Sequence, residues 1–64
     1  MPVDHSELAS IAESMDALAR RVAKMGDAAK ARKEDGAATE LYAVERALSG
    51  AARRLSRLIR ATLR

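Results

Sequence analysis

Two runs of apolar residues with one turn signal between them constrain the possible folds of this chain most strongly. Within each run the large apolar residues recur at alternating intervals of three and four, which is the spacing of one helix face. A strand would need alternation at every second residue. The sequence therefore predicts two amphipathic helices whose seam forms a core or a dimer contact. The seam residues are Leu8, Ile11, Met15, Leu18, Val22 and Met25 in the first run and Leu41, Val44, Leu48, Leu55, Leu58 and Ile59 in the second.

Local signals place the ends of these helices. Asp4 followed three residues later by Glu7 matches a capping box, so the first helix should begin near His5. Between the runs, the strongest stop signal ends at Gly36, a residue suited to a left-handed C-terminal cap. We therefore expect an all-α antiparallel helical hairpin in one domain, residues 1–64, with helices over residues 5–33 and 37–63 and a turn at residues 34–36.

The position of the turn also predicts how the two helices face each other. A turn centred near residue 35 sets Val22 beside Leu48 and Met15 beside Leu55. Acidic residues gather near the start of the first helix and arginines near the end of the second, which favours antiparallel packing. A line of small residues flanks the first seam and is a candidate for a second interface, because small residues let a neighbouring helix approach closely. It consists of Ala12, Ala19 and Gly26.

Length and composition indicate that the hairpin needs a partner. The chain has 64 residues, 48% of them hydrophobic, but 15 of these are Ala and a single one is aromatic. Such a short chain buries only a modest core, and without Cys neither disulfides nor thiolate metal sites can reinforce it. We therefore expect a homodimer that forms a four-helix bundle, with a complex with a different protein as the alternative.

Nothing in the sequence predicts catalysis or a cofactor. His5 is the one histidine, and its acidic neighbours are better explained as helix-capping or solvated groups than as metal ligands. The serines have no histidine nearby in a pattern typical of nucleophilic catalysis, and the glycines are too scattered for a phosphate-binding loop. We accordingly predict a protein that is not an enzyme, with no catalytic residue, no metal and no cofactor. Its expected function is that of an interaction or oligomerisation module that binds a macromolecular partner.

The second helix carries a stripe of arginines that suggests an alternative function. Arginine suits bidentate contact with phosphate, and contacts to the nucleic-acid backbone carry no base information. The stripe could therefore bind DNA or RNA in a salt-sensitive and weakly specific way, as a regulator would. The competing interpretation is a solvated helix face that keeps the protein soluble. The residues of this arginine stripe are Arg46, Arg53, Arg57, Arg60 and Arg64.

Membrane association is the least favoured hypothesis. Residues 51–64 could form a basic amphipathic helix at an anionic membrane surface, but their apolar residues also continue the seam of the second helix. The first residues do not combine a basic start with an apolar stretch, and no run approaches the length of a membrane span. These features predict a cytoplasmic protein.

Overall fold

The computed structural model describes residues 3–63, which form two helices and no strand. Helix α1 runs over His5–Ala31 and helix α2 over Asp35–Thr62. The two helices pack antiparallel into a rod of 48 × 15 × 14 Å. The hairpin predicted from the two apolar runs is confirmed.

Helix α1 begins where the capping signal places it. One carboxylate oxygen of Asp4, Oδ1, accepts a hydrogen bond from the backbone N–H of Glu7 at 3.0 Å. Asp4 itself has an extended backbone, as N-cap residues typically have. The bond satisfies one of the N–H groups that a helix start leaves without a partner.

The turn lies earlier than the glycine signal predicts. Lys33 has a left-handed backbone with φ of 61°, and no described glycine has positive φ. The N–H of Glu34 donates to the carbonyl of Ala29 at 2.9 Å, and that of Lys33 to the carbonyl of Lys30 at 3.0 Å, which together form a Schellman cap. Gly36 lies in the first turn of α2 instead. The prediction of Gly36 as the left-handed cap is wrong, because the cap closes three residues before it.

Contacts between the helices show their register. His5 Nε2 lies 2.7 Å from Thr62 Oγ1 at the open end of the hairpin. Nearer the turn, Tyr42 contacts Gly26 and its hydroxyl donates to the carboxylate of Asp27. A turn centred at residue 35 would instead set Tyr42 beside Ala28. The earlier turn therefore shifts the register by two or three residues.

Small residues, rather than the large apolar ones, fill the space between the helices. Within residues 3–63 the fully buried positions are Ala19, Gly26 and Ala29 on α1 and Ala38 and Ala52 on α2. No large apolar side chain is completely buried. The prediction that Ala12, Ala19 and Gly26 form a second interface is wrong, because Ala19 and Gly26 lie in the contact within the hairpin. Short side chains let the two helices approach closely.

Candidate interaction surface

The buried small residues Ala19, Gly26, Ala29, Ala38 and Ala52 form the alanine contact between the two helices. The large apolar residues of the predicted seam lie beside this contact rather than in it. Those on its border are half-buried: Leu8, Met15, Val22, Leu41, Leu48, Leu55 and Ile59. Those farther out are between 42% and 60% exposed: Ile11, Leu18, Met25, Val44 and Leu58. The hairpin alone therefore leaves five of the 12 seam residues exposed to water and the other seven half-buried.

The exposed large apolar residues of both helices lie on one side of the hairpin. Leu18 directly precedes buried Ala19, and Ala51 directly precedes buried Ala52. One residue corresponds to about 100° of rotation in an α-helix. Because the helices run in opposite directions, the same rotation along each chain leads to the same side of the pair. This side, the apolar face, has two outer columns, made of Ile11, Leu18 and Met25 on α1 and Val44, Ala51 and Leu58 on α2.

The opposite side, the polar face, contains a shallow groove between the helices. Its acidic wall carries Glu13 and Asp16 from α1, and its other wall carries Arg53 and Ser56 from α2. Arg53 directly follows buried Ala52, and the other wall residues directly follow half-buried ones. By the same rotation argument, residues on this side lie opposite the apolar face. Asp16 forms a salt bridge with Arg20 of its own helix at 3.2 Å, so the acidic wall is partly neutralised within α1.

The arginine stripe lies away from the apolar face. Arg53 borders the groove, and Arg57 follows it by four residues on the outer side of α2. The four described arginines are exposed: Arg46, Arg53, Arg57 and Arg60. Arg64 lies outside the described residues. The salt bridges found within residues 3–63 join other partners, Arg20 to Asp16 and Arg32 to Glu34.

The polar face also carries the one aromatic side chain. Tyr42 packs against the backbone of Gly26, and its hydrogen bond to Asp27 raises the pKa of the phenol above its usual value of 10.0. Burial and the negative charge of Asp27 act in the same direction. The regular spacing of small residues in α1 is the sequence signal for this close contact.

Among residues 3–63, no three His, Cys, Asp or Glu side chains lie close enough together to hold a metal ion. The histidine bonds to a threonine at the open end of the hairpin and not to a nucleophile in the groove. Neither of the two described helices is long and apolar enough to cross a membrane.

Comparison with protein-family models, curated proteins and solved structures found no match to this chain.

Proposed function

We propose that this chain is a non-enzymatic, cytoplasmic self-association module whose apolar face binds a second copy to form a four-helix bundle. The observation that carries the proposal is the sorting of exposed apolar residues onto one side of the hairpin. Leu18 is 44% exposed and Met25 is 60% exposed on α1, and Val44 is 47% exposed on the same side of α2. Contiguous apolar surface of this extent is typical of an interaction site.

The size of the apolar face fits a stable dimer. The hairpin is 48 Å long and 15 Å wide, so one side has a projected area of about 700 Å². A typical stable interface buries about 800 Å² on each partner. Two copies packed through this face would therefore bury an area close to that of a specific complex, and the large side chains that a lone hairpin leaves wet would become a common core.

The edges of the apolar face suit a second copy of the same chain. Along each outer edge, charged and small residues alternate at heptad spacing. The edge of α1 carries Glu7, Ser14, Arg21 and Ala28, and that of α2 carries Glu40, Ala47, Arg54 and Ala61, all exposed. When one copy packs on another, each charged residue meets a small one and no two like charges meet. This complementarity favours a second copy over an unrelated protein.

Replacing Leu18 with Glu tests the proposal. The new carboxylates would lie at the dimer contact, and we expect the dimer to weaken by about 3 kcal/mol, on the order of 100-fold in dissociation constant. Ala17→Glu is the matched control, since Ala17 is exposed beside Leu18 but lies off the apolar face. Sedimentation equilibrium measures both variants. A parent chain that stays monomeric and folded at tens of micromolar, or a Leu18→Glu variant that dimerises like the parent, would contradict the proposal.

Nucleic-acid binding is the second candidate function, and the exposure of the arginine stripe is the observation that favours it. The stripe lies off the apolar face, so a dimer would leave it open. The acidic side chains of Glu13 and Asp16 across the groove from Arg53 oppose a phosphate there, which is why this function ranks second. Nucleic acid would then contact mainly the exposed arginines that do not line the groove, such as Arg57 and Arg60.

Salt-dependent retention on nucleic acid tests this second function. At ~50 mM salt, the parent should bind DNA or RNA, and Arg57→Glu with Arg60→Glu should abolish retention. The matched control is Lys24→Glu with Lys30→Glu, which makes the same change of charge on exposed positions of α1 away from the apolar face. Equal retention of the two double variants would show general charge attraction, and the absence of retention by the parent would rule the function out.

A further inference from the structure

The level of each residue along the hairpin defines three layers on the apolar face. His5 faces Thr62 at the open end, and Gly26 faces Tyr42 near the turn. Counting inward from these two contacts places the members of the two outer columns within one or two residues, or about 1.5–3 Å, of the same level. The layers consist of Ile11 with Leu58, Leu18 with Ala51, and Met25 with Val44.

Two symmetric arrangements would bury these layers between two copies. If the twofold axis runs along the helices, α1 packs on α2 of the other copy and both turns lie at the same end. If the axis crosses the helices, α1 packs on α1 and α2 on α2, with the turns at opposite ends. Neighbouring helices are antiparallel in both arrangements, so the helix dipoles do not distinguish them.

The size of the side chains in the middle layer distinguishes the two arrangements. An axis across the helices sets Leu18 of one chain against Leu18 of the other, and Ala51 of one chain against Ala51 of the other. The first contact is then crowded and the second leaves a gap, because Val44 and Leu58 on either side keep the two α2 helices apart. An axis along the helices sets each Leu18 against an Ala51, so a large residue meets a small one at both contacts. Well-packed cores alternate large and small residues in this way.

We infer that the second copy binds with its α1 on α2, with Leu18 of each chain opposite Ala51 of the other and with both turns at one end of the bundle. This inference rests on the proposed self-association and adds its geometry. The outer layers fit the same arrangement, since Ile11 then meets Leu58 and Met25 meets Val44. All three layers keep a similar spacing between the helices.

Disulfide trapping tests the arrangement directly, because the chain has no cysteine of its own. Leu18→Cys and Ala51→Cys are purified as separate single variants and oxidised alone and as a refolded mixture. Side chains that meet across the contact bring their Cα atoms within the range that a disulfide needs, about 4.4–6.8 Å. We expect the mixture to give a mixed disulfide as its dominant product, which intact mass distinguishes from the two like pairs.

The controls separate failure of the arrangement from failure of self-association. Ala17→Cys lies off the apolar face and measures cross-linking by random collision. Leu18→Cys alone and Ala51→Cys alone should each cross-link no more than Ala17→Cys does. Like pairs that dominate for both variants would overturn the inference and support the axis across the helices. A monomer in sedimentation, with cross-linking at the Ala17→Cys level throughout, would overturn the proposed function itself. Met25→Cys with Val44→Cys repeats the test in an outer layer, should a cysteine in the middle layer weaken the dimer.

Discussion

The ring of Tyr42 occupies the space that a side chain at Gly26 would need. A Cβ atom built on Gly26 would lie 2.8 Å from Cε1 of the ring, closer than real Cβ contacts. The hydrogen bond to Asp27 holds the ring there. This relationship explains a glycine in the middle of α1, where it costs up to about 1 kcal/mol relative to alanine.

Gly26→Ala should therefore lower stability despite the better helix propensity of alanine. The ring must move, and crowding of a packed contact costs about 1–3 kcal/mol. Gly50→Ala is the matched control, because its nearest neighbour would be Arg53 Nη2 at 3.9 Å, and it should raise stability by up to about 1 kcal/mol. Thermal unfolding at one protein concentration compares them. Combining Gly26→Ala with Tyr42→Ala should remove most of the cost of the glycine substitution, and simple additivity would contradict the proposed clash.

Tyr42 should make the stability of the hairpin fall at high pH. Its pKa is raised in the folded state, mainly by the hydrogen bond to Asp27, so folding stabilises the protonated phenol. The contribution is complete below the usual pKa of 10.0 and is lost as the pH rises through the higher pKa of the folded state. Chemical unfolding above pH 10.0 should show this component in the parent and not in Tyr42→Phe.

The ultraviolet absorbance of tyrosinate provides an independent reading, because the chain has a single Tyr and no Trp. The folded parent should ionise at higher pH than the chain unfolded in denaturant. Asp27→Asn keeps a hydrogen-bond acceptor but removes the negative charge, so it should lower the pKa of the phenol. Identical titration curves for folded and unfolded protein would show that the bond to Asp27 does not persist in solution.

The left-handed residue at the turn predicts that glycine stabilises the hairpin at position 33 and brings no benefit at position 36. Lys33 has φ of 61°, a conformation that costs a residue with a side chain about 1–2 kcal/mol relative to glycine. Lys33→Gly should therefore raise the melting temperature. Gly36→Ala should leave it equal or higher, since Gly36 is helical and a Cβ there meets nothing within 4 Å. A large loss with Gly36→Ala would place the left-handed cap at the glycine after all.

Enlarging a buried alanine should separate the two helices. Ala19 is only 2% exposed, so Ala19→Leu cannot be accommodated at the present helix spacing and should cost about 1–3 kcal/mol. Ala17→Leu adds the same side chain at an exposed position of the same helix and should change stability by less than about 0.5 kcal/mol. Circular dichroism during thermal unfolding compares the two. Equal melting temperatures would contradict the alanine contact.

The sequence predicts the two helices well because their signals are local. The spacing of the apolar residues determines the helical period, and Asp4 determines where α1 starts. The position of the turn was less predictable, since Gly36 is the residue best suited to left-handed backbone, yet Lys33 adopts it. At the turn, the carbonyls of Ala29 and Lys30 accept the capping hydrogen bonds. The free energy gained by packing the two helices outweighs the preference of a single residue for left-handed backbone.

The sequence alone could not identify which part of each apolar stripe faces the other helix. The stripe of α1 is wide, and its centre could be the line of Leu18 or the line of Ala19. Burial of large side chains favours the former for an isolated pair, whereas close approach of the backbones favours the latter. The structure buries Ala19 and leaves Leu18 exposed. The proposed contact with a second copy explains this arrangement, because it would bury the large residues.

The alanine contact has a consequence for the abundance of this protein in a cell. Alanine contributes little apolar area, so a single hairpin has only a small reserve of stability. Under the proposed self-association, copies that find no partner spend more time unfolded and are open to proteases. Degradation would then remove the protein where its concentration is too low for dimers to form and spare it where the concentration is higher. The protein would accumulate only above a threshold rate of synthesis.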